Sequence, residues 1–158
     1  MLQVFRRLLK REPHDPLEIQ KALTIGPQVD TVPNASGRFG YDKSNPIPVH
    51  WPQGELDYLA GLQCECGVSF LFHRMGSFGQ GPDGHLIDGY ELICRNRKHR
   101  FKLFMDMYHA GPSSLLPEGL TKGPQEGVGV PVRVKDFPDG LPAVIRTLAA
   151  LHGTQPDE

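Results

Sequence analysis

Three apolar, aromatic-rich runs in the middle of the chain predict β-strands. They are "VSFLFHRM" (68–75), "GYELICRN" (89–96) and "HRFKLFMDMY" (99–108), and turns that contain Gly, Asp or Asn separate them. In the third run an apolar side chain recurs at every second position from Phe101 to Met107, so one strand face is predicted to meet the core. The short polar turn between the second and third runs predicts an antiparallel hairpin.

Two further elements are predicted downstream. Valines alternate through 128–134, which predicts another strand, and Pro131 restricts that strand to a sheet edge. Apolar residues then recur at helical spacing and stop at Gly153, so a closing helix is predicted over 141–152. The predicted fold class is α+β, with an antiparallel sheet of about four to six strands and a C-terminal helix packed on one face.

The first third of the chain has a different pattern. Residues 1–26 read as a helical segment: a short, basic amphipathic helix over 1–11 is followed by a second helix that Asp15 caps and Gly26 ends. The basic helix fits docking on the core or on another subunit, or a surface anchor. Prolines and glycines then recur through 27–54, which predicts an extended segment around a core at 55–158. The whole is predicted to be a single domain.

Composition and charge narrow the classes of protein to which this chain can belong. The chain has 158 residues, of which 39% are hydrophobic and 22% charged, as in an ordinary globular domain. Its 18 glycines and 15 prolines, about a fifth of the chain, predict long loops around a modest core. The net charge of -1 gives no overall attraction to nucleic acid or to an anionic membrane.

The cysteine count and the absence of targeting signals predict a cytoplasmic protein. Three cysteines are an odd number, which argues against a disulfide framework. The first residues lack the apolar core of a signal peptide, and no apolar run reaches the ~18 residues of a transmembrane helix. In a reducing compartment, closely spaced cysteines are more often metal ligands or free thiols than disulfides.

Two turns carry residues that can bind zinc. Cys64 and Cys66 precede a glycine in "CECG", and Cys94 and His99 flank the predicted hairpin turn. Zinc prefers four sulfur or nitrogen ligands in a tetrahedron, usually as two turn-borne pairs. The predicted site is therefore a structural zinc ion that cross-links a thin core.

Two other interpretations of the cysteines stay open. The spacing is C-x-C rather than the usual C-x-x-C, and strand alternation also lets Cys94 point into the core. Free cysteines are commonly buried, so unliganded structural thiols are an alternative. Redox chemistry is a third, because Arg95, Arg97 and Lys98 offer Cys94 a positive neighbourhood.

A possible acid–base or metal cluster is predicted where two strands end. If those ends meet, His73, Asp106 and His109 could serve as the working groups of a small metal-dependent hydrolase. A hydrogen-bonded structural network is the alternative, since sheet-end residues often only bond each other. The sequence contains no G-x-S-x-G, H-E-x-x-H, phosphate-loop or dinucleotide fingerprint, which lowers the expectation of an enzyme.

The basic turn "CRNRKHRFK" (94–102) could bind phosphate, with Arg74 beside it. Such runs are usually solvated hairpin turns, and the chain as a whole is slightly acidic. A nucleic-acid partner is therefore not expected.

Several segments together resemble a set of uncharacterised small bacterial proteins. The segments are "SGRFGYDKSNPIPV", "GELDYLAGL", "FLFHRMGS" and "LFMDMYHAGPSSLLPEG", which lie within residues 36–120. They do not include the C-x-C pair. The resemblance implies no activity and no functional residues.

The functional prediction is a non-enzymatic binding or accessory domain that is stabilised by zinc. Long Pro/Gly-rich loops can present backbone groups to a partner, so a protein partner is expected to bind through 27–54 and 111–127. Assembly with further copies of the chain stays open.

Overall fold

The computed structural model describes residues 24–123 and 129–143. The regular elements in chain order are strand β1 (Ile47–Pro48), helix α1 (Trp51–Ala60), β2 (Leu62–Cys64), β3 (Phe70–Gln80), β4 (Leu86–Cys94), β5 (Arg100–Asp106), β6 (Leu120–Lys122) and β7 (Val130–Pro131). The described structure is mostly sheet with few helices, which is compatible with the predicted α+β class.

The larger sheet has five strands in the order β1-β5-β4-β3-β7. Its three central strands are antiparallel, as predicted, and β4 and β5 form the predicted hairpin. The prediction was wrong at both edges, because β1 pairs with β5 in parallel and β7 pairs with β3 in parallel. Each edge strand is two residues long and contains a proline, Pro48 or Pro131, as expected where a backbone donor is missing.

Strands β3 and β4 extend beyond their predicted positions on either side of the turn that joins them. The strand predicted over 68–75 continues to Gln80, and the strand predicted from residue 89 begins at Leu86. Register shifts between Arg74 and Gly76 and between Ser77 and Gln80 absorb irregularities in this Gly-rich stretch, so pairing continues past them. The Gly-rich sequence had been interpreted as turn.

Helix α1 and the small second sheet were not predicted. The segment 27–54 was expected to stay extended, but α1 begins at Trp51, with Pro52 in its first turn. The predicted loop 111–127 contains β6, which pairs with β2 in a two-stranded antiparallel sheet. Proline therefore starts the helix here rather than preventing it.

The core lies on both faces of the larger sheet. On one face, α1 and both sheets enclose a buried cluster that includes Leu59, Phe72 and Leu103. On the other face, Leu71 and Leu141 belong to a smaller buried cluster. Residues 141–143 are helical at the predicted start of the closing helix, and its remainder lies outside the described residues. The predicted N-terminal helices also lie outside them, except for residues 24–26, which are not helical.

The segments 27–54 and 111–127 contact each other along one side of the molecule. Asp30 Oδ1 accepts hydrogen bonds from the backbone N–H and the hydroxyl of Ser114, at 2.9 and 2.8 Å. These bonds lower the pKa of the Asp30 carboxyl. Tyr41 donates to the carbonyl of Glu118 at 2.6 Å. The described parts of the two predicted contact segments therefore form a continuous surface.

A buried carboxyl group lies between α1 and the sheet. Glu55 belongs to the helix, and its Oε2 accepts a hydrogen bond of 2.8 Å from the hydroxyl of Tyr90. Its Oε1 is buried without a hydrogen-bond partner. Desolvation raises the pKa of Glu55 to about 7, and the nearby charge of Asp88 adds to the rise. A proton is therefore held more tightly by this group in the folded than in the unfolded chain.

This buried carboxyl makes the stability of the fold depend on pH. The stability contributed by the protonated group is present below the unfolded pKa, near 4.5, and is lost as the pH rises through about 7. The free energy of unfolding of Glu55→Gln should match that of the wild type near pH 5 and exceed it by about 2–3 kcal/mol at pH 8. A tenfold change in an acid constant corresponds to about 1.4 kcal/mol. Urea unfolding at both pH values measures this difference.

The matched control for Glu55→Gln is Glu118→Gln, at a carboxyl whose side chain is 83% exposed. That substitution should leave the pH dependence of unfolding as it is in the wild type. Equal pH dependence in Glu55→Gln and in the wild type would contradict the assignment of the raised pKa to Glu55.

Candidate metal centre

The first two cysteines lie on a tight turn between β2 and β3. Cys64 ends β2, its N–H donates to the carbonyl of Val68 at 2.9 Å, and its carbonyl accepts from the N–H of Gly67 at 2.8 Å. Gly67 has a φ of 82°, a conformation that a glycine adopts without a steric penalty. The glycine after the second cysteine therefore allows the chain to fold back and present Cys66 beside Cys64.

The turn between β4 and β5 repeats this hydrogen-bonding scheme. Cys94 ends β4, its N–H donates to the carbonyl of His99 at 3.0 Å, and its carbonyl accepts from the N–H of Arg97 at 2.7 Å. Arg97 has a φ of 61°, close to the backbone conformation of the glycine in the first turn. Asn96 stands two residues after Cys94, where the first turn has its second cysteine. Two cysteines on each turn would give a site with four sulfurs. Here the second turn has one cysteine, and His99 supplies the fourth ligand.

The two turns bring four ligand atoms together. The three sulfurs and a ring nitrogen of His99 all lie within 4.8 Å of one another. Nδ1 of His99 lies 3.1 Å from Sγ of Cys64 and 4.0 Å from Sγ of Cys94. Sulfurs bound tetrahedrally at 2.3 Å from one zinc ion are about 3.8 Å apart, so small adjustments suffice to surround an ion.

Neighbouring groups orient these ligands. The amide nitrogen of Asn96 donates to Sγ of Cys66 at 3.2 Å, and its Oδ1 accepts from the thiol of Cys94 at 2.6 Å. Nε2 of His99 faces a carboxylate oxygen of Glu65 at 3.6 Å, which leaves Nδ1 for the cluster. Carboxylate partners of this kind commonly orient metal-binding histidines.

The environment shifts the pKa values of two of the thiols in opposite directions. Desolvation raises the pKa of the Cys64 thiol to about 12. Partial desolvation opposes ionisation of Cys66, but hydrogen bonds from Cys64, His99 and Asn96 outweigh it and lower the pKa of the Cys66 thiol to about 6. Metal ions bind the thiolate form, so Cys66 is the sulfur best prepared to bind first.

The structure confirms that the four residues predicted as ligands form a cluster that could hold a metal ion. They are Cys64, Cys66, Cys94 and His99. Cys94 also packs in the apolar core, as its strand position indicated, so burial and participation in the cluster are compatible. Sequence reasoning missed Asn96 and Glu65, although each lies within two residues of a predicted ligand.

The second predicted cluster is assembled only in part. Nε2 of His109 lies 3.0 Å from Oδ2 of Asp106. His73 is elsewhere: it faces Glu91 at 3.5 Å across the β3–β4 pair and stacks on Phe137. Of the predicted triad, the structure brings Asp106 and His109 together, whereas strand register places His73 opposite Glu91.

Two residues that were not predicted complete a group around Asp106 and His109. Asp83 and His85, from the turn that precedes β4, place ligand atoms within 4.8 Å of theirs. A D-x-H spacing at 83–85 and a D-x-x-H spacing at 106–109 are the signal that could have found them.

Comparisons of the chain with protein-family models, curated proteins and solved structures found no match. The resemblance to small bacterial proteins gains no support from these comparisons. Within residues 24–123 and 129–143, no helix combines the length and hydrophobicity that a membrane crossing requires.

The different burial of the three thiols predicts their order of alkylation. Cys66 is half-buried, whereas Cys64 and Cys94 are buried. In metal-free protein, iodoacetamide should modify Cys66 at least about tenfold faster than the other two cysteines, because its sulfur is accessible and its thiolate is stabilised. Peptide mass spectrometry over a time course measures the three rates. Equal rates in the folded protein would contradict the described packing of the two turns.

Proposed function

We propose that this chain is a protein-binding domain that a structural zinc ion stabilises. The observation that carries the zinc assignment is the convergence of three sulfurs and one imidazole nitrogen within 4.8 Å. Thiolate and imidazole ligands in a tetrahedral arrangement favour zinc over calcium or magnesium, which prefer oxygen. Four protein ligands leave no position for water, so the ion acts on stability rather than on catalysis. A reducing, cytoplasmic location is part of this proposal, because the thiols must stay reduced.

The zinc ion would add a cross-link between the two sheets of the fold. Cys64 belongs to β2 in the two-stranded sheet, whereas Cys94 belongs to β4 in the five-stranded sheet. Residues 111–123 contain β6, the partner of β2, so a cross-link at the cysteines also restrains that segment. The ion would therefore stabilise the predicted contact surface at a distance.

A groove supports the binding part of the proposal. Its volume is about 460 Å³, which is within the range of ligand and peptide pockets. Both segments that were predicted to contact a partner contribute to its wall, together with the body of α1. Its wall includes Trp51, Asp57, Leu116 and Lys122.

Trp51 gives this groove the character of a recognition site. Half of its surface is exposed, and its φ of 59° lies in a region that bulky residues rarely adopt. Strained residues of this kind cluster at functional sites. An exposed indole at the wall of a largely apolar groove is a typical hot spot of a protein interface.

The occupant that fits this groove is an apolar anchor from a protein partner, carried on a short peptide segment. Trp51 and Leu116 supply the apolar wall, and Asp57 and Lys122 offer one charge of each sign to a flanking polar group. The alternative of a small hydrolase built on His73, Asp106 and His109 is not proposed, because His73 lies away from the other two.

Removing the metal should destabilise the domain. Free zinc at 1,000 times its dissociation constant contributes about 4 kcal/mol to folding, which corresponds to about 8–16 °C in melting temperature for a domain of this size. A chelator should lower the melting temperature of the wild type by this amount and leave Cys66→Ser, already destabilised, unchanged. Differential scanning calorimetry with elemental analysis checks both effects. Wild-type protein that contains no zinc when prepared without chelator would contradict the assignment.

Removing the indole should weaken peptide binding in the groove. Peptides selected on the zinc-loaded protein from a random library should carry an apolar anchor. They should bind Trp51→Ala at least about 30-fold more weakly, which corresponds to the 2 kcal/mol of a hot spot. Trp51 is the only tryptophan in the chain, so its fluorescence should also change on binding.

The matched control is Leu86→Ala, which removes an apolar side chain that is also 50% exposed but lies outside the groove. Its affinity for the selected peptides should stay within about twofold of the wild type. Equal binding of these peptides to Trp51→Ala and to the wild type would exclude the groove as the recognition site.

A further inference from the structure

We infer that Asp83, His85, Asp106 and His109 form a second metal site, for a divalent first-row transition ion held by two imidazoles and two carboxylates. The donor atoms of these four residues lie within 4.8 Å of one another. This site has no sulfur ligand and shares no residue with the cysteine cluster.

The topology brings the four side chains to one end of the β4–β5 hairpin. Asp83 and His85 lie in the turn that leads into β4, and Asp106 is the last residue of β5. Because the two strands are antiparallel, the start of β4 lies beside the end of β5. His109 follows three residues after Asp106 and reaches the same place.

The separations of the donor atoms match those around a single ion. Nδ1 of His85 lies 3.0 Å from Oδ2 of Asp83 and 3.2 Å from Oδ2 of Asp106. Nε2 of His109 lies 3.4 and 3.0 Å from the same two oxygens. Ligands bound tetrahedrally at 2.0–2.1 Å from a zinc ion are about 3.3–3.4 Å apart. Each nitrogen thus faces both oxygens, with spacings close to those of a coordination shell.

An independent observation points to a ligand at this place. The side chain of His109 is only 10% exposed, and its Nε2 is buried without a hydrogen-bond partner. Its contacts with the two carboxylate oxygens are close, yet neither has the alignment of a hydrogen bond. A protonated, charged imidazole would leave its N–H in the same unsatisfied position. A metal ion among the four donors would instead accept the nitrogen lone pair.

Both carboxylates are already oriented for binding. Oδ1 of Asp106 accepts the backbone N–H of Tyr108 at 3.0 Å, and Oδ1 of Asp83 accepts the backbone N–H of His85 at 3.2 Å. Each aspartate therefore uses one oxygen to fix its position and directs the other, Oδ2, toward the imidazoles. Outer hydrogen bonds of this kind are what a metal site requires to hold its ligands.

The charge at this place also favours a dication. The side chains of Asp83 and Asp106 are 9% and 0% exposed, and in the described part of the chain their ion pairs are all with histidines. Two buried carboxylates side by side favour a bound cation, because a dication would balance the charge of both. The side chain of His85 is 40% exposed, which gives an ion a path into the site.

Cobalt(II) alone, titrated into the metal-free full-length protein, tests this inference. Cobalt bound by thiolates gives intense sulfur-to-metal charge-transfer absorption, whereas nitrogen and oxygen ligands do not. The wild type should therefore bind one equivalent of cobalt that adds no charge-transfer absorption, apart from any cobalt bound by the cysteines. His85→Gln and His109→Gln should each lose that equivalent, with affinity reduced at least about 100-fold. Any charge-transfer signal from the cysteine cluster should stay unchanged in both variants.

The matched control is His73→Gln, which alters a histidine that also faces a carboxylate, Glu91, but lies outside the site. It should retain the wild-type stoichiometry. Because His85 is partly exposed, His85→Gln keeps the test valid if the more buried His109→Gln proves less stable by circular dichroism. The inference is overturned if the wild type binds no cobalt beyond the amount that gives thiolate charge-transfer absorption. It is equally overturned if a folded His85→Gln or His109→Gln variant retains that equivalent.

Discussion

The antiparallel pairing of β4 with β5 is the constraint on which both clusters depend. Its register, from Asp88 opposite Met105 to Ile93 opposite Arg100, fixes which residues meet at each end of the hairpin. One end carries Cys94 and His99, and the other carries His85 and Asp106. At about 3.3 Å per residue, the two ends of β4 are about 25–30 Å apart. A slip of one residue would turn Cys94 away from Cys64 and separate Asp106 from His85 at the same time.

Local signals were sufficient to predict the hairpin and the cysteine cluster. A polar turn between two alternating runs determines the hairpin, and both ligand pairs lie directly beside turns, so few distant contacts had to be known. Helix α1 escaped prediction because the surrounding prolines indicated extended chain, whereas Pro52 occupies a position that favours helix initiation. His73 was misplaced because its neighbour across the sheet, Glu91, is determined by register, which the sequence pattern does not specify.

The two turns of the cysteine cluster show how one backbone scheme can present different ligands. Both use a similar pair of hydrogen bonds about their first cysteine, although the second turn is one residue longer, and both contain a residue with positive φ three positions later. The second turn places Asn96 where the first places Cys66, and the asparagine connects the two turns by bonding to Cys66 and Cys94. These outer hydrogen bonds fix the direction in which the two sulfurs point, as the neighbours of metal ligands commonly do.

The prolines at the two sheet edges have a consequence for self-association. An edge strand with free backbone groups invites pairing with another chain, which leads to aggregation or to uncontrolled growth of the sheet. Here β1 and β7 are each two residues long and each includes a proline, which has no N–H to donate. A neighbouring molecule therefore finds few donors and acceptors in line on β1 or on β7. Pairing of two copies of this chain through β1 or β7 is therefore disfavoured compared with association through side chains, where shape and chemistry can select the partner.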